Sequence, residues 1–228
     1  MTQHFQREIE KLKQRLFSLC TLVEDSVAQA TRAIERRDTT LATAVIDGDV
    51  RIDQMEVDVE EECLKVLALH QPVAIDLRFI IAVIKINNDL ERIGDLAVNI
   101  AERAAFLASQ KKLDILFDFP GMAEKAQSMV KMSLDALVNM DSRLAWEVCA
   151  SDDEVDAMNR DMFIQVQNRI RKNTNRTECL IHLLSASRHL ERVADHATNI
   201  AQDVVYMIEG EIVRHRPETF QAIIERGS

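Results

Sequence analysis

Residues 90–101 read LERIGDLAVNIA and residues 190–201 read LERVADHATNIA, so eight of twelve positions are identical at an offset of 100. Upstream the register shifts to 103. That offset pairs Val27 with Val130, Ala33 with Ala136, Asp38 with Asp141, Leu41 with Leu144, Asp49 with Asp152, Asp53 with Asp156 and Met55 with Met158. Self-similarity at a fixed period marks one structural unit used more than once. The 228 residues therefore divide into two copies of a unit of about 100 residues, the second shorter by three between positions 58 and 90 of the first.

Each unit reads as three helices. Phe5, Ile9, Leu12, Leu16, Leu19, Val23, Val27, Ala30 and Ile34 alternate spacings of three and four, the stripe of a helix with one buried face. Thr2 stands where an N-cap is wanted. Arg36-Arg37 followed by Asp38 marks a basic helix end meeting an acidic N-cap. A second helix is expected from about Thr39 to Leu69, where Gln71-Pro72 breaks it. A third, from Val73 or Asp76 to Ser109, carries the stripe Phe79, Val83, Ile86, Leu90, Ile93, Ala97, Ile100, Ala104 and Leu107. The fold class is all-α: two tandem three-helix bundles, up-down, six helices related by internal pseudo-symmetry. The first bundle takes residues 1–109, a linker residues 110–120, and the second bundle residues 121–228, with Pro120-Gly121 at the restart. Within the second, helices are expected over 122–139, from the Asp141 cap to 171, and from the polar turn 172–176 to Glu209. Gly210 is placed as a stop, with a short further helix in the tail.

Composition agrees. Five Gly and three Pro are too few for the turns of an all-β chain, and 47% apolar residues exclude a disordered one. The net charge of −10 repels phosphodiester backbones and disfavours nucleic acid. The longest apolar run, Phe79 to Ile86, contains Lys85 and falls well short of the ~20 residues of a membrane span. The N-terminus lacks an apolar signal core, so a cytoplasmic protein is expected. Cys20, Cys63, Cys149 and Cys179 form no C-x-x-C and read as small buried hydrophobes. Trp146 and Phe163 read as core. His196 reads as a surface or interface residue, since its counterpart is Leu96.

Carboxylates carry the functional signal. Glu91, Asp95 and Asn99 fall at i, i+4 and i+8, and Glu191, Asp195 and Asn199 repeat the spacing. Steps of four stack side chains on one helix face. Asp49 and Asp53, and Asp152 and Asp156, are further i, i+4 pairs on the preceding helices. Antiparallel hairpins put Asp49 level with residue 93 and Asp53 with 89, and likewise Asp152 with 196 and Asp156 with 192. Asp47, Glu56 and Asp153 extend the clusters. Like charges at i, i+4 cost about 0.2–0.5 kcal/mol each, and a cation would reverse that sign. Oxygen donors suit magnesium, manganese, calcium or iron. The same acids also read as surface ion pairs with Arg92, Arg188 and Arg192. No phosphate-binding glycine loop, H-E-x-x-H, G-x-S-x-G or Glu-x-x-His occurs.

Over nearly its whole length the chain resembles the PhoU family of bacterial phosphate-uptake and phosphate-signalling regulators. The residues that carry the resemblance are Gln71-Pro-Val-Ala-Ile-Asp-Leu-Arg78, Leu90-Glu-Arg-Ile-Gly-Asp95 with Asn99-Ile-Ala-Glu102, and Leu190-Glu-Arg-Val-Ala-Asp195 with His196-Ala-Thr-Asn-Ile200. The resemblance implies paired three-helix bundles and metal ions at the E(D)-x-x-x-D motifs, with iron, manganese, magnesium and zinc all open. These map to Asp49, Asp53, Glu91, Asp95 and Asn99, and to Asp152, Asp156, Glu191, Asp195 and Asn199. The motif's trailing Glu is Glu102 in the first copy but Gln202 in the second. It further implies a non-enzymatic adaptor between the ATPase subunit of a phosphate ABC transporter and a sensor histidine kinase, restraining phosphate uptake and the phosphate-starvation response and reaching the inner membrane only through the transporter; a homodimer is expected separately, because two-fold assemblies are the commonest. The rival readings are a metal-dependent hydrolase or metal-storage protein with two carboxylate sites, and a metal-free helical scaffold.

Overall fold

The computed structural model describes residues 3–111, 118–172 and 174–213. They form α1 (Gln3–Arg36), α2 (Thr39–His70), α3 (Ile75–Ser109), α4 (Phe119–Asn139), α5 (Ser142–Lys172) and α6 (Thr177–Glu209), with a single 3-10 turn at Thr174–Arg176 and no strand among the described residues. The expected Thr2 cap, most of the linker and the tail helix lie outside those residues. The apolar stripes bury as their spacing requires: Leu12, Leu16, Leu19, Val23 and Val27 of α1, and Val83, Ile86, Leu90, Ile93, Ala97 and Ile100 of α3, are all at most 1% exposed. The four cysteines are free and buried, and burial pushes the thiols of Cys20, Cys63 and Cys149 up to about 12.

The duplication is visible in the corners. Arg37 and Met140 hold equivalent left-handed positions, φ 56° and 52°. In each case the next amide reaches back five residues, Asp38 N–H to Ala33 O at 3.0 Å and Asp141 N–H to Ala136 O at 2.9 Å. This is the Schellman closure of a helix C-terminus. The same aspartates then start the following helices. Asp38 Oδ1 accepts from the amides of Thr40 and Leu41 at 2.9 and 3.2 Å, and Asp141 Oδ1 accepts from Leu144 at 3.0 Å.

Two expectations need correction. Pro120-Gly121 lies inside the first turn of α4 rather than before it. Asp118 caps that helix through the Gly121 amide at 2.9 Å, and proline is tolerated in a first turn because its missing N–H would be unpaired there anyway. Phe163 is 52% exposed beside Ile164 at 53%, because α5 has the α4–α6 side to bury against and this stretch of it faces outward.

Within each unit the three helices pack on one another. The units join through α3 against α6 and, less extensively, α1 against α4. The α3–α6 seam is antiparallel. His196 Nδ1 meets Asp89 Oδ1 at 2.8 Å, Lys85 Nζ meets Asp203 Oδ1 at 3.4 Å, and Phe106 stacks on the His182 ring at 3.7 Å. His196 is thus an interface residue. No helix among the described residues is long and apolar enough to cross a membrane.

The paired corners give a test. A non-glycine residue in the left-handed region costs roughly 1–2 kcal/mol, part of which glycine returns through its larger unfolded-state entropy. Met140 is half-exposed, so Met140→Gly should stabilise the chain by about 0.5–1 kcal/mol in a chemical denaturation experiment. Arg37→Gly should give no such gain, because the Arg37 guanidinium donates to the carbonyls of Leu107 and Gln110 at the end of α3.

Candidate metal centres

The expected hairpin register places the acids of α2 beside those of α3. An added Cβ on Gly94 would lie 3.5 Å from Asp49 Oδ1 and 3.1 Å from Ile52 Cγ2. Glycine at 94 therefore lets α2 approach α3 at the level where Asp49 meets Glu91 and Asp95. The register is held one turn away, where the buried Asn87 donates to the Glu56 carbonyl at 2.9 Å and to its carboxylate at 3.1 Å. In the second unit the counterpart is Ser187, donating to Asn159 Oδ1 at 3.0 Å.

Asp49, Glu91 and Asp95 are half-buried and Asp53 is exposed, so the first patch has a recessed floor and an open rim. Burial, followed by the charges of Asp53, Asp95 and Glu91, pushes the Asp49 carboxyl up to about 6. Burial also raises Glu91, helped by Asp95. Asp49 Oδ1 is fully buried and accepts no hydrogen bond among the described residues. Glu91 Oε2 is buried too, with Arg92 Nε an ion-pair neighbour at 3.3 Å but no hydrogen bond. Arg92 also reaches Asp95 Oδ2 at 3.4 Å. One half-exposed guanidinium thus serves two of the four carboxylates. An unsatisfied buried acceptor costs about 1–3 kcal/mol, and a hard cation is the partner that two orphaned carboxylate oxygens among like charges fit. Asp49, Asp53, Glu91 and Asp95 are the right donor type for such an ion, but no three of them bring ligand oxygens within 4.8 Å of one another, so binding would have to draw the side chains together.

The second patch has the same acids and a different environment. Burial and then the Asp195 charge push Asp152 up to about 6, although Thr198 Oγ1 donates to its Oδ1 at 3.2 Å. Burial also raises Glu191 and Asp195. Arg160 holds Asp156 Oδ2 at 3.2 Å. Position 194, equivalent to Gly94, is an alanine that the packing accepts at 1% exposure.

The side-chain NH2 group of each asparagine has a partner of its own. Asn99 donates back to the Asp95 backbone carbonyl at 2.7 Å. Asn199 donates across the seam to Asp89 Oδ1 at 3.4 Å, away from the second patch. Sequence reading missed Thr198, whose signal was its place one turn beyond Ala194 on the same face, and Gly94, whose only signal was glycine inside a helix.

A pH test follows from Asp49. Its folded pKa lies above the ordinary aspartate value, so the ionised carboxyl destabilises the fold. That cost is fully present above about 6 and fades as pH falls through 6 toward 4. In chelator-treated protein, Asp49→Asn should raise the thermal midpoint at pH about 7.5, and the gain should vanish near pH about 4.5, where the native carboxyl is already protonated. A pH-independent difference would contradict the assignment.

Known proteins fit this architecture. The PhoU domain model matches residues 16–104 and again 119–204, one match per unit. A phosphate-specific transport system accessory protein PhoU homolog from Aquifex aeolicus is 38% identical over 210 residues, covering 92% of this chain and 95% of that protein. A Thermotoga maritima homolog is 34% identical over 226 residues, 99% and 96% of the two chains. The crystal structure of PhoU from Pseudomonas aeruginosa superposes with a TM-score of 0.89 at 35% identity, covering 91% of this chain and all of that one. The PhoU structure from Streptococcus pneumoniae gives 0.82 at 28% identity, over 92% and 99%. With both units matched and relatives above 30% identity spanning nearly their whole length, this chain belongs to the PhoU family.

Proposed function

We propose that this chain is a non-enzymatic, metal-binding regulator of phosphate uptake and phosphate-starvation signalling, working as an adaptor. Its relatives carry the name of accessory proteins of phosphate-specific transport systems, which supports a transporter as one partner. A sensor histidine kinase is the second partner in this reading, and the effect on both is restraint. The site of action is the cytoplasmic face of the inner membrane, reached through the transporter and not through a span of its own. A homodimer is the assembly this reading prefers, two-fold pairs being the commonest.

The observation that carries the metal part is the buried, unpartnered Asp49 Oδ1 beside Glu91, Asp53 and Asp95. Asp49 and Glu91 form the recessed floor and Asp53 the exposed rim; in the second patch Asp152, Asp156 and Glu191 are half-buried and Asp195 is the exposed acid. A bound di- or trivalent ion of iron, manganese, magnesium or zinc would neutralise each patch and leave coordination positions for a phosphate oxygen or a partner's carboxylate. Arg92 and Arg160 flank the patches and would keep anions within reach. The floor carboxylates keep a net negative face when no cation is held, which repels an acidic partner and disfavours docking.

The test is binding of purified chain to the transporter's ATPase subunit, with and without chelation, beside an Asp95→Ala/Asp195→Ala variant. The reading expects at least about a tenfold loss of affinity on chelation and in the variant, with no phosphatase turnover at any metal loading. Unchanged binding would favour a metal-free scaffold. Turnover abolished by Glu91→Gln with Asp95→Asn would make the protein a hydrolase.

A further inference from the structure

At the end of the first bundle remote from the acidic patches' helix midpoints, α1 begins and α2 ends side by side. His4 and Glu8 lie one turn apart on α1, and His70 is the last residue of α2. Glu8 is a carboxylate inside the protein, 4% exposed. Each of its oxygens faces a different imidazole: Oε1 stands 3.2 Å from His4 Nε2, and Oε2 stands 2.7 Å from His70 Nε2. Candidate ligand atoms from all three residues lie within 4.8 Å of one another, the one such group of three found among the described residues.

We propose that His4, Glu8 and His70 form a binding site for a zinc-type divalent cation that ties the first turn of α1 to the end of α2. Two imidazole nitrogens and one carboxylate are the donor set of an open zinc site, three protein ligands with a fourth position for water. In a tetrahedron with bonds of about 2.0–2.2 Å, neighbouring ligand atoms stand about 3.3–3.5 Å apart. The observed separations of 3.2 and 2.7 Å run to different oxygens of Glu8, and the His70–Glu8 pair must open by about 0.6–0.8 Å to admit the ion.

The surroundings fix this arrangement. The buried Phe5 ring packs edge-on to His70 at 5.2 Å, and His4 meets His70 edge-on at 5.7 Å. Phe5 thus holds the His70 plane while the exposed His4 leaves the fourth position to solvent. Both oxygens of the buried Glu8 carboxyl already point at the two imidazoles that would share the ion. Lys65 lies close enough to act on Glu8 but spends its ammonium on Glu62 at 3.3 Å. Imidazole donors separate this site chemically from the all-oxygen patches on α2–α3 and α5–α6, and it shares no residue with them.

Zinc ions alone are the probe. Chelator-treated full-length protein is titrated with Zn²⁺, and the first equivalent bound is examined by X-ray absorption at the zinc edge. Three chains are compared: the natural one, His4→Gln, and an acidic-patch variant with Asp49→Asn, Glu91→Gln, Asp152→Asn and Glu191→Gln. The natural chain should show imidazole scattering in one tight equivalent and a rise in thermal midpoint. The acidic-patch variant should keep both. His4→Gln should keep its helix content, because His4 is exposed, yet bind that equivalent at least about tenfold more weakly. Equal zinc binding by the natural and His4→Gln chains, or an oxygen-only spectrum in the natural chain, would overturn the proposal. Loss of zinc in the acidic-patch variant with His4 and His70 intact would overturn it too, without touching the reading of the patches.

Discussion

The antiparallel seam between α3 and α6 is the constraint on which the rest depends. It runs from Arg78 lying over Gly210 at one end to Phe106 on His182 at the other. Each of these two helices also packs against the other two helices of its own unit. Much of both is buried, and Glu91, Asp95, Glu191 and Asp195 are among the residues that keep access to solvent. The seam's own polar groups are matched pairwise, Asp89 with His196 and Asn199, and Lys85 with Asp203. The α2–α3 and α5–α6 edges are matched only in part: Arg92 reaches Glu91 and Asp95, Arg160 holds Asp156 and Thr198 donates to Asp152, while Asp49 Oδ1 has no donor among the described residues. Burial, and then the crowding of acid by acid, pushes Asp49 and Asp152 toward protonation.

Duplication copied the acids but not their surroundings. In the first unit Gly94 brings Ile52 and Asp49 close and leaves Asp49 Oδ1 without a donor. In the second unit Ala194 fills the same place, and Thr198 supplies Asp152 with a hydrogen bond. A site whose floor oxygen already has a hydroxyl partner gives up that bond to bind an ion, so the first patch should be the tighter of the two. The loss of the trailing glutamate in the second copy, Gln202 for Glu102, points the same way.

Much of this was legible in the residues. The stripes of α1 and α3 bury as spaced, because a period of 3.6 admits only one face toward a core. Asp38 and Asp141 cap as their place after a basic or apolar helix end suggests. The hairpin register put Asp49 beside residue 93, and it lies beside Gly94. The misses share one cause: periodicity tells which residues share a face, not what that face meets. Phe163 was read as core because it is aromatic, but its stretch of α5 faces outward. His70 carried no pattern of its own, and only tertiary folding set it on Glu8.

The central claim is that the carboxylates gathered on two helix edges are there to hold cations. Elemental analysis of gently purified protein, beside an Asp49→Asn/Asp95→Ala/Asp152→Asn/Asp195→Ala variant, tests it most directly. The account predicts stoichiometric metal in the natural chain that exceeds the variant's content by at least one ion per unit. Equal metal content in both chains, or none in either after growth with iron, manganese, magnesium and zinc supplied, would contradict it.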